Sequence, residues 1–365
     1  MPTPTIAVLE GDGVGPELIA EIRKTIEVLQ RHFDFRWEMA TFPCGGEYWL
    51  AHREEWPREA REFCFGQADA ILFSGVGVPG VELPTGGLAG VGVVFLLRRD
   101  LDLYASLRPV QLLAEIPGTP YQPAHVNLHL VREITEGLYT RLGGILEREQ
   151  KPDLAVDTRV ITYRATERIA RFAFQLAEKL WDQGDRRPVT CIDKSNVLSG
   201  CQLFRRAVQA VAAQFPKIDL RLAYVDNFAL DVLRNPQPYS VCVTSNAFGD
   251  ILADLLAFLE GGNGMAAIGN FGDRKAMFEP LHGSQVGLKG KGTINPVAIH
   301  RCLAMLLAWL GERLSTPPLL SASTELMKAI CKVLTEGKVR TLDLGGGSTT
   351  SDMSEAIRRK VTGRG

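Results

Sequence analysis

A chain of 365 residues is long enough for one large domain or two ordinary ones, each with its own hydrophobic core. Apolar residues at 45% and charged residues at 23% match an average globular protein, which argues against disorder or a fibrous repeat. Lys and Arg number 41 against 42 Asp and Glu, a net charge of −1 that argues against nucleic-acid or membrane-surface binding through a broad basic face. No apolar run approaches the ~18 residues needed to span a bilayer. Residues 1–12 lack a basic stretch followed by an apolar one, so no secretory signal is expected. Seven scattered cysteines without a C-x-x-C pair fit free thiols in a reducing compartment, and a cytoplasmic location is expected.

In chain order, Thr5 to Leu9 reads as a short apolar strand, followed by a glycine turn and a helix from Pro16. Ile19, Ile22, Ile26 and Leu29 recur there at helical spacing, and the proline suits a first turn. A second strand-like run, Ala70 to Phe73, precedes the glycine-rich stretch Gly75 to Gly92. An amphipathic helix is predicted over Thr166 to Trp181, with Ile169, Phe172, Leu176 and Leu180 on one face. Val189 to Ile192, Leu220 to Val225 and Ser240 to Thr244 are short apolar runs between such helices. Alternating strands and helices predict an α/β protein with a substantially parallel sheet. Prolines at residues 117–123 and at Pro317-Pro318 mark loops, and composition alone marks no domain boundary.

Several groups of residues have the chemistry of a site. Gly11-Asp12-Gly13-Val14-Gly15-Pro16-Glu17 lies between a strand and a helix, where backbone amides cradle phosphates, but it matches neither G-x-G-x-x-G nor a P-loop; its spacing favours a plain tight turn. Arg98, Arg108 and Arg132 are either solvated or converge on a small diacid, whose carboxylates match their planar donor fork. Asp250 and Asp254, spaced i, i+4, share a helix face; their repulsion is relieved by a cation, and oxygen ligands suit Mg²⁺ or Mn²⁺. Lys194, in Asp193-Lys194-Ser195-Asn196, follows an apolar strand, a common place for a general base in open α/β sheets. Glu279-Pro280-Leu281-His282-Gly283-Ser284, with Gly287, Gly290 and Gly292 before Asn295-Pro296, is a second glycine-rich loop suited to close approach of a ligand. His125 and His129 lie in a strand-like context and read as structural.

Taken in order, these motifs resemble the metal-dependent β-decarboxylating dehydrogenases, the family of isopropylmalate, isocitrate, homoisocitrate, tartrate and D-malate dehydrogenases. The resemblance runs from Gly11 through Arg98, Arg108, Arg132, Tyr139, Lys194, Asp226, Asp250 and Asp254 to Glu279–Pro296 and the tail Thr341-Leu342-Asp343-Leu344-Gly345-Gly346. It implies an isopropylmalate dehydrogenase-like α/β fold of two domains with a long shared mixed sheet, not a Rossmann fold. Residues 1–103 plus 258–365 would bind the cofactor, and 104–257 would carry substrate, metal and dimer contacts. It further implies a homodimer in which Lys194 and Asp226 serve the other subunit's site. Arg98, Arg108 and Arg132 would bind the carboxylates of a 2-hydroxy diacid. Asp250, Asp254 and the second subunit's Asp226 would hold Mg²⁺ or Mn²⁺. Lys194 would act as base and Tyr139 as acid. Glu279, His282, Gly283, Ser284, Gly287 and Asn295 would take the adenosine half of NAD.

Two stretches depart from the family pattern. Gly287 stands where NAD-using members carry the aspartate that grips the ribose, yet the Lys and Tyr of NADP-using members are absent too, at Gly287 and Leu288; Lys289 is the nearest cation in sequence. NAD is expected, with NADP as the alternative. Gly92 and Val94 replace the Ser and Asn that read the third carboxylate of isocitrate. Val91, Val94 and Phe95 are apolar and point to a malate with an apolar or small C3 substituent, since a buried carboxylate without donors is costly. Tartrate or D-malate and homoisocitrate or isocitrate dehydrogenases, and a catalytically idle regulatory subunit, are the alternatives.

Overall fold

The computed structural model describes residues 3–363, with twelve strands and eleven α-helices among them. The chain forms two compact units. The first opens with β1 (Thr5–Leu9), α1 (Gly15–Phe33), β2 (Glu38–Phe42), α2 (Gly46–His52), α3 (Arg58–Gly66), β3 (Ala70–Phe73) and α4 (Val91–Asp100). The second holds β4 (Ala105–Gln111), β5 (Asn127–Glu133), β6 (Gly143–Arg148), β7 (Lys151–Asp157), α5 (Tyr163–Asp182), β8 (Val189–Asp193), α6 (Ser199–Ala212), β9 (Leu220–Tyr224), α7 (Val225–Arg234), β10 (Val241–Thr244) and all of α8 (Asn246–Ala257) but its last residue. The chain then returns to the first unit with β11 (Ala267–Phe271), β12 (Ala276–Pro280), α9 (Val297–Arg313), α10 (Pro317–Glu336) and α11 (Thr350–Val361).

In the first unit the strand order is β2-β1-β3-β12-β11, parallel except for the β11–β12 pair. The predicted face of α1 (Ile19, Ile22, Ile26 and Leu29) is buried, and Pro16 sits in its first turn. The apolar run from Cys302 lies inside α9, which is buried on nearly all sides. A helix enclosed by other helices and a sheet needs no polar face, so its composition reflects position rather than a membrane. Among the described residues no helix is long and apolar enough to cross one. Leu112–Pro123 also falls in this unit, not in the second as the domain boundaries read from sequence would have it. Ala114 is part of the first unit's core, and Leu113 and Ile116 pack against it, so apolar burial draws the segment there.

In the second unit the order is β4-β5-β10-β8-β9, with β4–β5 antiparallel and the rest parallel. The predicted 166–181 helix is α5, but of the expected face only Ile169 is buried; Phe172, Leu176 and Leu180 are half-buried, and Ala170, Ala173, Phe174 and Ala177 turn to the core instead. Strands β6 and β7 pair only with each other and are exposed throughout. All seven cysteines are free thiols. His129 lies on β5 and His125 ends a short 3₁₀ turn, so they do not share a helix face.

Candidate active site

Arg108 and Arg132 are brought to one face by the β4–β5 ladder, in which Ser106 faces Arg132 and Arg108 faces Leu130. Both guanidinium groups turn toward α8. Arg132, 2% exposed, bonds Asp250 Oδ1 through one terminal nitrogen and Asn246 Oδ1 through Nε and the other (3.1 and 2.7 Å). Arg108 lies 3.7 Å from the same Asp250 oxygen. Tyr139 Oη donates to Asp250 Oδ2 at 2.8 Å. Asn246 Nδ2 donates to the Glu136 carbonyl at 2.7 Å and so ties the Tyr139 turn to α8. Gly249 is a condition of this packing, because a Cβ there would lie 2.7 Å from Arg132 Cγ. Burial alone would raise the Asp250 carboxyl, but Arg132, the Tyr139 hydroxyl and Arg108 hold it below the usual carboxylate range. Burial, then the neighbouring Asp250 charge, pushes the Tyr139 phenol up. At neutral pH this tyrosine carries a proton to give.

Lys194 sits just beyond β8, and its ammonium bonds Asp226 Oδ1, in the first turn of α7, at 2.6 Å. That hydrogen bond lowers the Asp226 carboxyl. The turn is fixed by Asp193, 1% exposed, which accepts from Arg205 Nε and its terminal nitrogen (2.7 and 2.9 Å) and from the Ser195 amide. Among the described residues no group of three His, Cys, Asp or Glu side chains is placed to hold one ion. Asp250 and Asp254 lie on the same helix, two hard oxygen donors at i, i+4, with Asp254 exposed. They suit one side of a Mg²⁺ or Mn²⁺ shell, and Asp226 of the same chain does not complete it.

In the first unit the Gly11–Glu17 turn proves to be a structural knot. Gly11 and Gly13 have positive φ (68° and 60°), and a Cβ on either would lie 2.1 Å from the carbonyl oxygen of Gly75 or Ser284. Asp12, fully buried, accepts from the amides of Gly46, Glu47 and Gly77 at 2.7–2.8 Å. Ser284 is held in the same knot, since its hydroxyl donates to the Gly77 carbonyl and its carbonyl accepts from Val14. Glu279 lies on β12 rather than in a loop, and its Oε1 receives Arg98 at 2.9 Å and Asn270 at 2.7 Å. Asn295 bonds Asp343 and the Val297 amide. These expected cofactor residues are thus engaged within the protein. His282 and Gly287 are different. His282 is 3% exposed, its Nδ1 meets the Gly283 carbonyl, and Nε2 is buried without a partner. Nothing lies within 4 Å of a Cβ built on Gly287. A buried acceptor with no partner in the protein is one that a bound donor, such as the amino group of a heterocycle, would satisfy. Lys289, on this loop, pairs with Glu47 at 2.6 Å. Val91, Val94, Phe95 and Arg98 are half-buried along α4, and Val93 and Leu97 anchor that helix in the core.

The family model described as isocitrate/isopropylmalate dehydrogenase matches residues 5–357. An isocitrate/homoisocitrate dehydrogenase of Thermus thermophilus is 37% identical over 354 residues, 96% of this chain and 97% of that one. A 3-isopropylmalate/3-methylmalate dehydrogenase of Methanocaldococcus jannaschii is 35% identical over 357 residues, 98% of each. Among solved structures, the isocitrate dehydrogenase of Methylococcus capsulatus superposes with a TM-score of 0.87 at 31% identity, covering 100% of both chains. Over nearly the whole length these comparisons agree on an α/β oxidoreductase. The chain belongs to the isocitrate/isopropylmalate dehydrogenase family.

Sequence reasoning missed Asn246 and Arg205, and it passed over Asp12. Asn246 follows Thr244-Ser245 directly at the end of an apolar strand, a position that could have marked it. Arg205 carries no sequence signal, because it meets Asp193 only when α6 packs on β8.

Proposed function

We propose that this protein oxidises and decarboxylates a malate bearing an uncharged C3 substituent, using NAD and Mg²⁺ or Mn²⁺, as a homodimer. The carrying observation is the Arg108–Arg132–Tyr139–Asp250 cluster, in which two guanidinium groups and a protonated phenol face one carboxylate. Arg98, Arg108 and Arg132 bind the substrate's carboxylates. Asp250 and Asp254, with Asp226 of a second copy, would hold the metal. A metal held there would supply Lewis-acid polarisation of the substrate's C2 oxygen, and a bound dinucleotide would supply the hydride acceptor. Lys194 of the second copy, once it has given up its own proton, would take the hydroxyl proton, and Tyr139 would return a proton to the enolate left by loss of CO₂.

The dimer has support in exposed apolar surface. Ile145, Leu146, Leu154 and Val156 of the isolated β6–β7 hairpin are 46–66% exposed, and Ile251, beside Asp250, is 70% exposed. A lone two-stranded hairpin is marginal in water, and a second copy would cover these side chains. NAD is supported by the Lys289–Glu47 pair, which engages the cation two residues along the chain from Gly287. The intact set of arginines, tyrosine, lysine and aspartates argues against an idle regulatory subunit.

The test is a panel of 3-isopropylmalate, 3-methylmalate, malate, tartrate, isocitrate and homoisocitrate, with each nicotinamide cofactor, following reduced nicotinamide and CO₂. The 3-alkylmalates should turn over fastest, NAD should exceed NADP in kcat/KM, and EDTA should abolish activity. Faster turnover of isocitrate, or preference for NADP, overturns the reading.

Gly287 offers a separate check. Its φ lies outside the left-handed region and its surroundings are open, so aspartate enters without strain. Gly287→Asp should tighten NAD binding about tenfold by accepting from the ribose hydroxyls, with little effect on Tm. Titration calorimetry reads this directly, and unchanged NAD affinity would count against the assignment of this loop to adenosine.

A further inference from the structure

Gly92 lies within the first turn of α4, where glycine is a poor helix former. Its reason is steric, because a Cβ there would fall 2.2 Å from Glu55 Oε2. Glu55, in the turn between α2 and α3, sends its other oxygen, Oε1, to the amides of Gly90 (2.6 Å) and Gly92 (3.1 Å). Its own carbonyl accepts from Gly45 at 2.7 Å, which pins the residue from behind. Gly90, in turn, has φ +96° and no room for a side chain against Gly45 and Gly46. The positive end of α4 is therefore already filled by a carboxylate of the chain itself. The same helix carries Val91, Val94, Phe95 and Arg98.

We infer that Glu55, with Gly92, is a specificity-determining residue that denies α4's amides to a third substrate carboxylate and repels one placed there. This rests on the proposed reading that the Val91, Val94 and Phe95 face receives the C3 substituent. Two features act together. The Gly90 and Gly92 amides, the natural donors for an anion at this helix end, have Glu55 as their acceptor, and position 92 cannot carry a hydroxyl or amide side chain while Glu55 is there. A carboxylate on the substrate then meets a like charge and no donor, whereas an alkyl group meets valine and phenylalanine.

The test compares kcat/KM for isocitrate and 3-isopropylmalate in the wild type, Glu55→Gln and Glu55→Ala, and Tm for Gly92→Ala in the wild-type and Glu55→Ala backgrounds. Both Glu55 variants should raise the isocitrate to 3-isopropylmalate ratio by about tenfold, the scale of one like-charge contact near a surface. Glu55→Gln keeps the size and an acceptor oxygen, so it reports on charge without emptying the turn. Gly92→Ala should lower Tm in the wild type and raise it when Glu55 is alanine. A wild type that prefers 3-isopropylmalate, with a ratio unmoved by both Glu55 variants, overturns this inference and leaves the proposed function standing. Equal Tm effects of Gly92→Ala in the two backgrounds likewise overturn it. A wild type that prefers isocitrate overturns the proposed function instead.

Discussion

Arg132→Met should lower kcat/KM by about a thousandfold, and Arg132→Lys by about a hundredfold, the range seen when a preorganised charge-bearing donor is removed from a site. Arg132 is buried and spans two partners at once, Asn246 through Nε and one terminal nitrogen and Asp250 through the other. A lysine ammonium keeps the charge but not the planar fork, so it satisfies one partner and leaves the other. Methionine leaves both, and the Asp250 carboxyl, relieved of its nearest cation, rises toward ordinary values. Because Asn246 also holds the Glu136 carbonyl, the Tyr139 turn loosens with it. The loss should therefore fall on kcat as well as on KM. Steady-state kinetics beside a Tm measurement separates this from unfolding. A lysine variant within a few-fold of the wild type would show that the fork is not needed.

Acid should destabilise the first unit through His300. This residue is fully buried at the start of α9, where Nδ1 lies 2.8 Å from the Pro296 carbonyl and Nε2 lies 3.0 Å from Thr25 Oγ1. The Pro296 carbonyl can only accept, so Nδ1 carries the proton, and the single Thr25 hydroxyl proton is shared between Nε2 and the Glu21 carbonyl at 3.1 Å. Burial pushes the imidazole down from 6.5 to about 4, with Arg358 of α11 adding to the shift and the Pro296 carbonyl and Glu21 of α1 opposing it. The unfolded chain binds a proton below pH 6.5 that the folded chain refuses until about pH 4. The stabilisation is complete above 6.5 and is lost as pH falls through that window, to a total of about 3 kcal/mol. Urea midpoints from pH 7.5 to 4.5 should fall more steeply for the wild type than for His300→Gln. Parallel curves would assign the acid sensitivity elsewhere.

Much of the architecture was legible because it rests on local pattern. Period-3.6 apolar spacing marked α1 and α5, and short apolar runs marked β1, β3, β8, β9 and β10 to within a residue or two. The antiparallel pairs β4–β5 and β11–β12 were not visible, since pairing direction depends on partners distant in sequence. The site was legible in part. Arg108, Arg132, Tyr139 and Asp250 were named from sequence and meet within hydrogen-bonding or ion-pairing reach. Glu279, Ser284 and Asn295 were named for the cofactor, and each makes a hydrogen bond within the protein: Glu279 with Arg98 and Asn270, Ser284 with the Gly77 carbonyl, and Asn295 with Asp343. Motif order locates such residues but does not say whether a polar side chain turns outward or inward, which burial and available partners decide.

By itself, the amino-acid sequence determined the α/β class, the membership of a dehydrogenase family and the places in the chain where charged residues gather. Those properties reside in periodicity and in the order of residue types along one chain. Only the tertiary structure decided that Asn246 and Arg132 tie α8 to the Tyr139 turn, that Asp12 closes the glycine knot, and that Glu55 fills the head of α4. Each of these is a hydrogen bond between segments far apart in sequence, formed where folding removes water and leaves a buried donor or acceptor no other partner.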